Sequence, residues 1–194
     1  MSPVIISGSP APYDGLGTNI PTETPVKALE ERKISDLNQV HQELDELFFE
    51  HQVAVLHCDC TAAKALLSSF EKGMALHMKE ENEILLPLYR DRAEPVRGGD
   101  STVFFGEHDK IVEWLGRLKL RLSRLPAKDP QPKEILELLE DEAHFKKFIE
   151  HHTLRENRIL YPELDRVATP KEKAGLIRLL TFSLSDQDNP SSET

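Results

Sequence analysis

The pattern His-x-x-x-Glu-Asn-x-Ile-Leu-x-Pro occurs twice in the chain, once at His77–Pro87 and once at His152–Pro162. A histidine and a glutamate four residues apart lie on the same face of a helix. Each pair is embedded in an apolar stripe with helical spacing, so both faces are expected to turn inward. Imidazole and carboxylate together are the ligands of non-haem iron sites. A duplicated pair on buried faces predicts a helical bundle with a dinuclear metal centre in its core.

The 194 residues suffice for one well-cored domain with tails. Acidic residues outnumber basic ones by 34 to 24, a formal net charge of -10 that disfavours nucleic acid and anionic membranes as partners. No apolar run approaches the length of a membrane span. The opening MSPVIISGSP lacks the basic start and apolar stretch of a secretion signal. Cys58 and Cys60 are the only cysteines and make no disulfide framework, so the expected compartment is the cytoplasm.

Four stretches carry helical periodicity. The first runs from about Ser35 to His57, with Leu37, His41, Leu44, Phe48, His51 and Val55 at three- and four-residue steps. The second runs from about Thr61 to Leu86, with Ala63, Leu66, Phe70, His77, Glu81, Ile84 and Leu88 on its stripe and Pro87 expected to end it. The third starts at the N-cap Asp100 and reaches Leu125 through Phe104, His108, Ile111, Leu115, Leu118 and Leu122. The fourth runs from about Lys133 to Tyr161, with Ile135, Leu138, Phe145, Ile149, His152, Glu156 and Ile159 inward. A fifth, short helix follows Thr169-Pro170-Lys171-Glu172, a capping sequence.

No β-branched run is long enough for a sheet. The expected fold is all-α: an up-down-up-down four-helix bundle, with an irregular N-terminal arm over 1–34, the bundle over 35–165, and the short helix and a disordered tail over 166–194.

Helical rise tests the metal expectation. Counted from the turns at one end of the bundle, His41 and His77 each lie about 16 residues along, His108 about 17 and His152 about 19, roughly 24 Å up at 1.5 Å per residue. Four histidines on four apolar stripes thus converge on one layer, although the repeat constrains neither His41 nor His108. Glu81 and Glu156 lie one turn from two of them, and a buried carboxylate calls for a partner or a metal. The candidate ligands are His41, His77, Glu81, His108, His152 and Glu156. His51 is expected to be buried roughly 15 Å below the layer. His57, His144 and His151 are expected at the surface or its boundary. Glu80 and Glu107 adjoin the ligands and are candidates to orient them, and Asp45, one turn after His41, is a candidate for a further ligand or an orienting acceptor. Cys58-x-Cys60 with His57 lacks a fourth zinc ligand.

These residues resemble the hemerythrin family in its broad HHE cation-binding branch, over about 35 to 165. The resemblance implies two iron ions between the four helices, with a solvent-derived oxo or hydroxo bridge. His41, His77, His108 and His152 would be terminal ligands, and Glu81 and Glu156 would bridge both metals. The oxygen-carrying members have two histidines one turn apart on the third helix. Here the positions a turn either side of His108 are Phe104 and Val112. They also bridge through an aspartate five residues after the fourth-helix histidine, where this chain has Asn157 and uses Glu156 instead. The pattern is closer to the branches that sense iron or repair iron centres.

The resemblance leaves open coordination positions for dioxygen, nitric oxide or peroxide. Phe104, Ile84, Leu85, Val112 and Ile159 are expected to keep water out. Three functions follow: binding or sensing of dioxygen, nitric oxide or iron; a peroxidase- or catalase-like oxidoreductase; or an interaction module that the metal stabilises. The sequence offers no evident proton donor for turnover.

Overall fold

The computed structural model describes residues 33–94, 96–126 and 129–180. Most of the N-terminal arm and the tail expected at 185–194 lie outside these residues. The described chain is helical. A single 3-10 turn, Ile34–Asn38, leads into α1, Gln39–Leu56. The turn is tied to the far end of the bundle, because Asp165 accepts the Ile34 and Ser35 amides at 2.8 and 3.1 Å. The α1–α2 turn needs a left-handed residue, Cys58 at φ 58°, and the Asp59 side chain caps the next helix by accepting the Ala62 amide.

α2 comprises Cys60–Glu80, a wide π turn at Glu81–Leu85, and Leu86–Arg92. α3 is Ser101–Arg124, with Asp100 accepting the Thr102 amide at 2.9 Å. α4 repeats the architecture of α2: Pro132–Arg155, a π turn at Glu156–Leu160, then Tyr161–Val167. α5, Pro170–Leu179, begins at a reciprocal Thr169–Glu172 cap, and a two-pronged Arg92–Glu172 ion pair fastens it to α2. α1 packs on α2, α2 on α3, α3 on α4 and α4 on α1, which closes the expected four-helix ring. Among the described residues, no helix is long and apolar enough to cross a membrane.

Pro87 and the Tyr161–Pro162 step do not end their helices. A proline lacks the amide donor, and its ring presses on the carbonyl four residues back. The wide turn just before each proline absorbs both defects. In each, the bond spans five residues: Leu86 N–H donates to Glu81 O and Tyr161 N–H to Glu156 O. The extra residue turns the following chain by about 100°. The inward stripe shifts accordingly. Leu85, Leu86, Leu160 and Tyr161 are fully buried, while Ile84, Leu88 and Ile159 are half-buried at the edge.

Among the described residues the four-helix core forms two apolar clusters, and α5 adds a small third of Ala174 and Ile177. The lower one, near the α1–α2 and α3–α4 turns, contains Leu44, Phe70, Met74, Ile111 and Ile149. Its centre is an aromatic trio, with ring centroids of Phe48 5.0 Å from Phe70 and 5.5 Å from Phe145. The upper one contains Leu37, Leu85, Phe104, Leu160 and Tyr161. Between these two clusters, on each of α1 to α4, lie the polar residues described next.

Candidate metal centre

The layer contains all six residues expected from the sequence. His41, His77, Glu81, His108, His152 and Glu156 are each no more than 5% exposed. They form two overlapping groups whose nitrogen and oxygen atoms lie within 4.8 Å of one another. One group is His41, His77 and Glu156, and the other is His108, His152, Glu81 and Glu156. Glu156 belongs to both: Oε2 is 3.1 Å from His41 Nε2, and Oε1 is 2.8 Å from His152 Nε2. Glu81 Oε2 is 3.2 Å from His108 Nε2 and 3.7 Å from His77 Nε2. Each group therefore takes two histidines from one helical hairpin and a carboxylate from the other.

The outer partners fix which imidazole nitrogen faces inward. His108 Nδ1 donates to Asn82 Oδ1 at 2.7 Å. His41 Nδ1 donates to Asn38 Oδ1 at 3.2 Å, and Asn157 Nδ2 steadies that oxygen from the other side at 2.8 Å. His152 Nδ1 donates to Glu107 at 3.0 Å, and Arg155 holds the second Glu107 oxygen at 3.0 Å. With each Nδ1 engaged outward, Nε2 is the nitrogen that His41, His108 and His152 turn to the middle of the bundle. Asn82 and Asn157, identical in the two repeats, thus orient the histidines of α3 and α1 that the repeat itself does not contain.

Inside the layer, His108 Nε2, His152 Nε2, Glu81 Oε2 and both oxygens of Glu156 are buried without a hydrogen-bond partner. Buried polar atoms in such number are costly unless something satisfies them. Their electrostatics agree. Burial and the Glu156 charge push the Glu81 carboxyl up to about 7. Burial disfavours charge on His152, but Glu156 and the bond to Glu107 outweigh it and push the group up to about 10. Against burial, the same histidine holds Glu156 well below the carboxylate range. Burial and His41 keep His77 well below its ordinary value. A cation at the centre meets lone pairs and carboxylates. Imidazole nitrogen with carboxylate oxygen suits iron and its divalent neighbours.

Tyr161 was not expected. It is fully buried, its ring stacks on His41 with centroids 6.0 Å apart, and its hydroxyl donates to Glu81 Oε1 at 2.8 Å. Five residues after Glu156, an uninterrupted α-helix would place it about 140° away, and the wide turn brings it back inward. The sequence signal was a difference at an inward position of the repeat, Leu86 against Tyr161.

The remaining expectations divide. Glu107 orients His152, whereas Asp45 is exposed and outside both groups. Val112 is 60% exposed and shields nothing, while Phe104 is fully buried beside the layer. His57, His144 and His151 are exposed. His51 is fully buried in the lower cluster, bonded to Ala63 O at 2.8 Å and Glu142 Oε1 at 2.9 Å. Cys58 is exposed, Cys60 is buried against Pro126 O, and both are free.

Residues 32–164 match the family model described as the hemerythrin HHE cation binding domain. No curated protein and no solved structure matches the chain. The matched span holds every residue of the polar layer and both wide turns. The buried His/Glu donors converge within the matched span, and the chain belongs to the hemerythrin HHE cation-binding family as a metal-binding domain.

Proposed function

We propose that the chain is a non-haem di-iron protein that binds or senses a small molecule, dioxygen or nitric oxide, or iron itself, at the His/Glu layer. The bundle over 35–165 is the unit that does so. His41 and His77 hold one metal and His108 and His152 the other, with Glu156 shared and Glu81 completing the set. The observation that carries the reading is the convergence of buried imidazole nitrogens and carboxylate oxygens, within 4.8 Å of one another in each group, between two apolar clusters. When bound, the iron pair supplies reversible ligand binding and electron transfer through coordination positions the protein leaves open. The chain's own residues hold the imidazoles in one tautomer, balance charge with two carboxylates, and keep the layer dry through Phe104, Leu85 and Leu160.

The Tyr161 hydroxyl favours a second reading, a peroxidase- or catalase-like oxidoreductase. It is a buried proton-bearing group in contact with a candidate ligand, which the sequence alone did not reveal. The test begins with metal analysis by mass spectrometry on protein expressed in iron-replete cells, with about two iron per chain expected. Optical spectra with azide, nitric oxide and peroxide then separate the readings. Stable adducts support binding, and steady consumption of peroxide supports turnover. One tightly held zinc and no iron would overturn both.

A further inference from the structure

The two repeats suggest a symmetric centre in which both glutamates serve both metals alike. The structure breaks that symmetry at the residue before each proline. Leu86 and Tyr161 occupy matching positions five residues after Glu81 and Glu156, and both are fully buried. Tyr161 reaches across the layer and donates to Glu81 Oε1. Leu86 has no hydroxyl to offer Glu156.

The consequence is visible in the oxygens. Glu156 turns one oxygen to each group, Oε2 to His41 at 3.1 Å and Oε1 to His152 at 2.8 Å. Glu81 turns only Oε2 inward, nearer to His108 than to His77, while Oε1 is engaged by the phenol. The His108/His152 position therefore has four donor residues and the His41/His77 position three. A second difference acts in the same direction. His152 is backed by the Glu107 carboxylate, whereas His41 and His108 are backed by the neutral amides of Asn38 and Asn82. A carboxylate behind an imidazole raises its strength as a ligand.

We propose that the two metal positions differ in affinity. The His108/His152 position fills first and holds its ion, the His41/His77 position is the exchangeable one, and Tyr161 is the positioning residue that sets the gap by keeping one Glu81 oxygen out of the layer. This rests on the metal-centre reading above. It adds that the chain has a one-metal form distinct from its two-metal form.

The experiment is an anaerobic titration of metal-free full-length protein with ferrous iron, and separately with cobalt(II), whose visible absorption reports each site's ligands. Wild type should fill in two steps whose dissociation constants differ by more than about tenfold, beyond the fourfold statistical gap of two equal sites. Tyr161→Phe removes the hydroxyl and little volume. It should release Glu81 Oε1, tighten the second step relative to the first by about tenfold, and shift the cobalt spectrum of the second site, with the melting temperature checked in parallel. Glu107→Gln should weaken the first step roughly 10- to 100-fold and spare the second. His41→Gln should keep one ion at the first-step affinity. Equal wild-type steps would overturn the inequality while leaving a two-metal centre standing. Unequal steps that Tyr161→Phe leaves unchanged would overturn the role of the tyrosine. Binding of no ion at all would overturn the metal-centre reading instead. The wild-type titration needs no variant, so a poorly folding mutant cannot shield the proposal.

Discussion

Replacing His51 by leucine strands a carboxyl group in the dry half of the bundle. His51 and Glu142 are both fully buried, 2.9 Å apart, among Phe48 and the other rings of the lower cluster. His51 Nδ1 faces the Ala63 carbonyl at 2.8 Å, which can only accept, so that nitrogen carries a proton. Glu142 Oε2 already has no hydrogen-bond partner. Taking away His51 leaves Oε1 unpaired as well. Breaking a buried pair from one side costs about 3–5 kcal/mol. For a chain of this length each kcal/mol lowers the melting temperature by about 2–4 °C, so His51→Leu should melt roughly 6–20 °C below wild type. Adding Glu142→Met replaces the pair with apolar groups of similar volume and should recover most of that loss or exceed wild type, as substituted buried pairs commonly do. The assay is urea denaturation and calorimetry of the metal-free single and double variants. His51 lies ten residues from His41 on one helix, roughly 15 Å away, so both variants should still load metal as wild type does. A single variant losing less than about 1 kcal/mol, or a double variant no better than the single, would refute the coupled pair. Loss of metal by His51→Leu would refute the placement of the layer.

Glutamine at His57, His144 or His151 should leave iron content and melting near wild type, because all three are exposed; a loss of iron measured by mass spectrometry would contradict the site. Glu156→Gln should disrupt both metal positions and the near-ultraviolet bands of an oxygen-bridged ferric pair, whereas His108→Ala should keep one iron; two irons and intact bands in Glu156→Gln would end its bridging role. Because His152 is pushed up to about 10 and Glu81 to about 7, loading metal at pH 7 should expel about one proton or more, read by calorimetry in buffers of different ionisation enthalpy. His152 also gives the metal-free fold a pH signature. Its folded value is raised, so its contribution is full below about 6.5 and lost as pH rises through about 10, and the metal-free melting temperature should fall across that window. Arg92 and the Thr169 cap hold Glu172 down to about 2, so their contribution is present above about 4.5 and lost as pH falls through about 2. Amide exchange in α5 should accelerate over that acid range.

The six-residue layer was legible because helical rise and stripe position are local arithmetic. His41 and His108 could be assigned a height without any tertiary knowledge. The Asp100 and Thr169 caps were legible for the same reason. The wide turns were not. Proline reads as a terminator, and a 3.6-residue period cannot show that an extra residue has been admitted. That one blind spot moved the stripe from Ile84 to Leu85 and hid Tyr161. Asn38 and Asn82 escaped because a neutral amide near a helix surface looks solvated until its partner on the next helix is known. Glu142 escaped because its partner, His51, is 91 residues away.

The exchange of carboxylates between hairpins makes metal affinity and hairpin docking one equilibrium. α1 and α2 supply His41 and His77 to one group and Glu81 to the other, while α3 and α4 supply His108 and His152 to the second group and Glu156 to both. Each group includes a carboxylate from the opposite hairpin, so an ion held by either full set would fasten the two halves of the bundle together. The free energy that holds the ion also resists separation of the halves. By the same linkage, whatever pries the hairpins apart must loosen the ion by an equal amount. A polar layer that is a weakness in an empty core would, with an ion bound, become the tie between the hairpins.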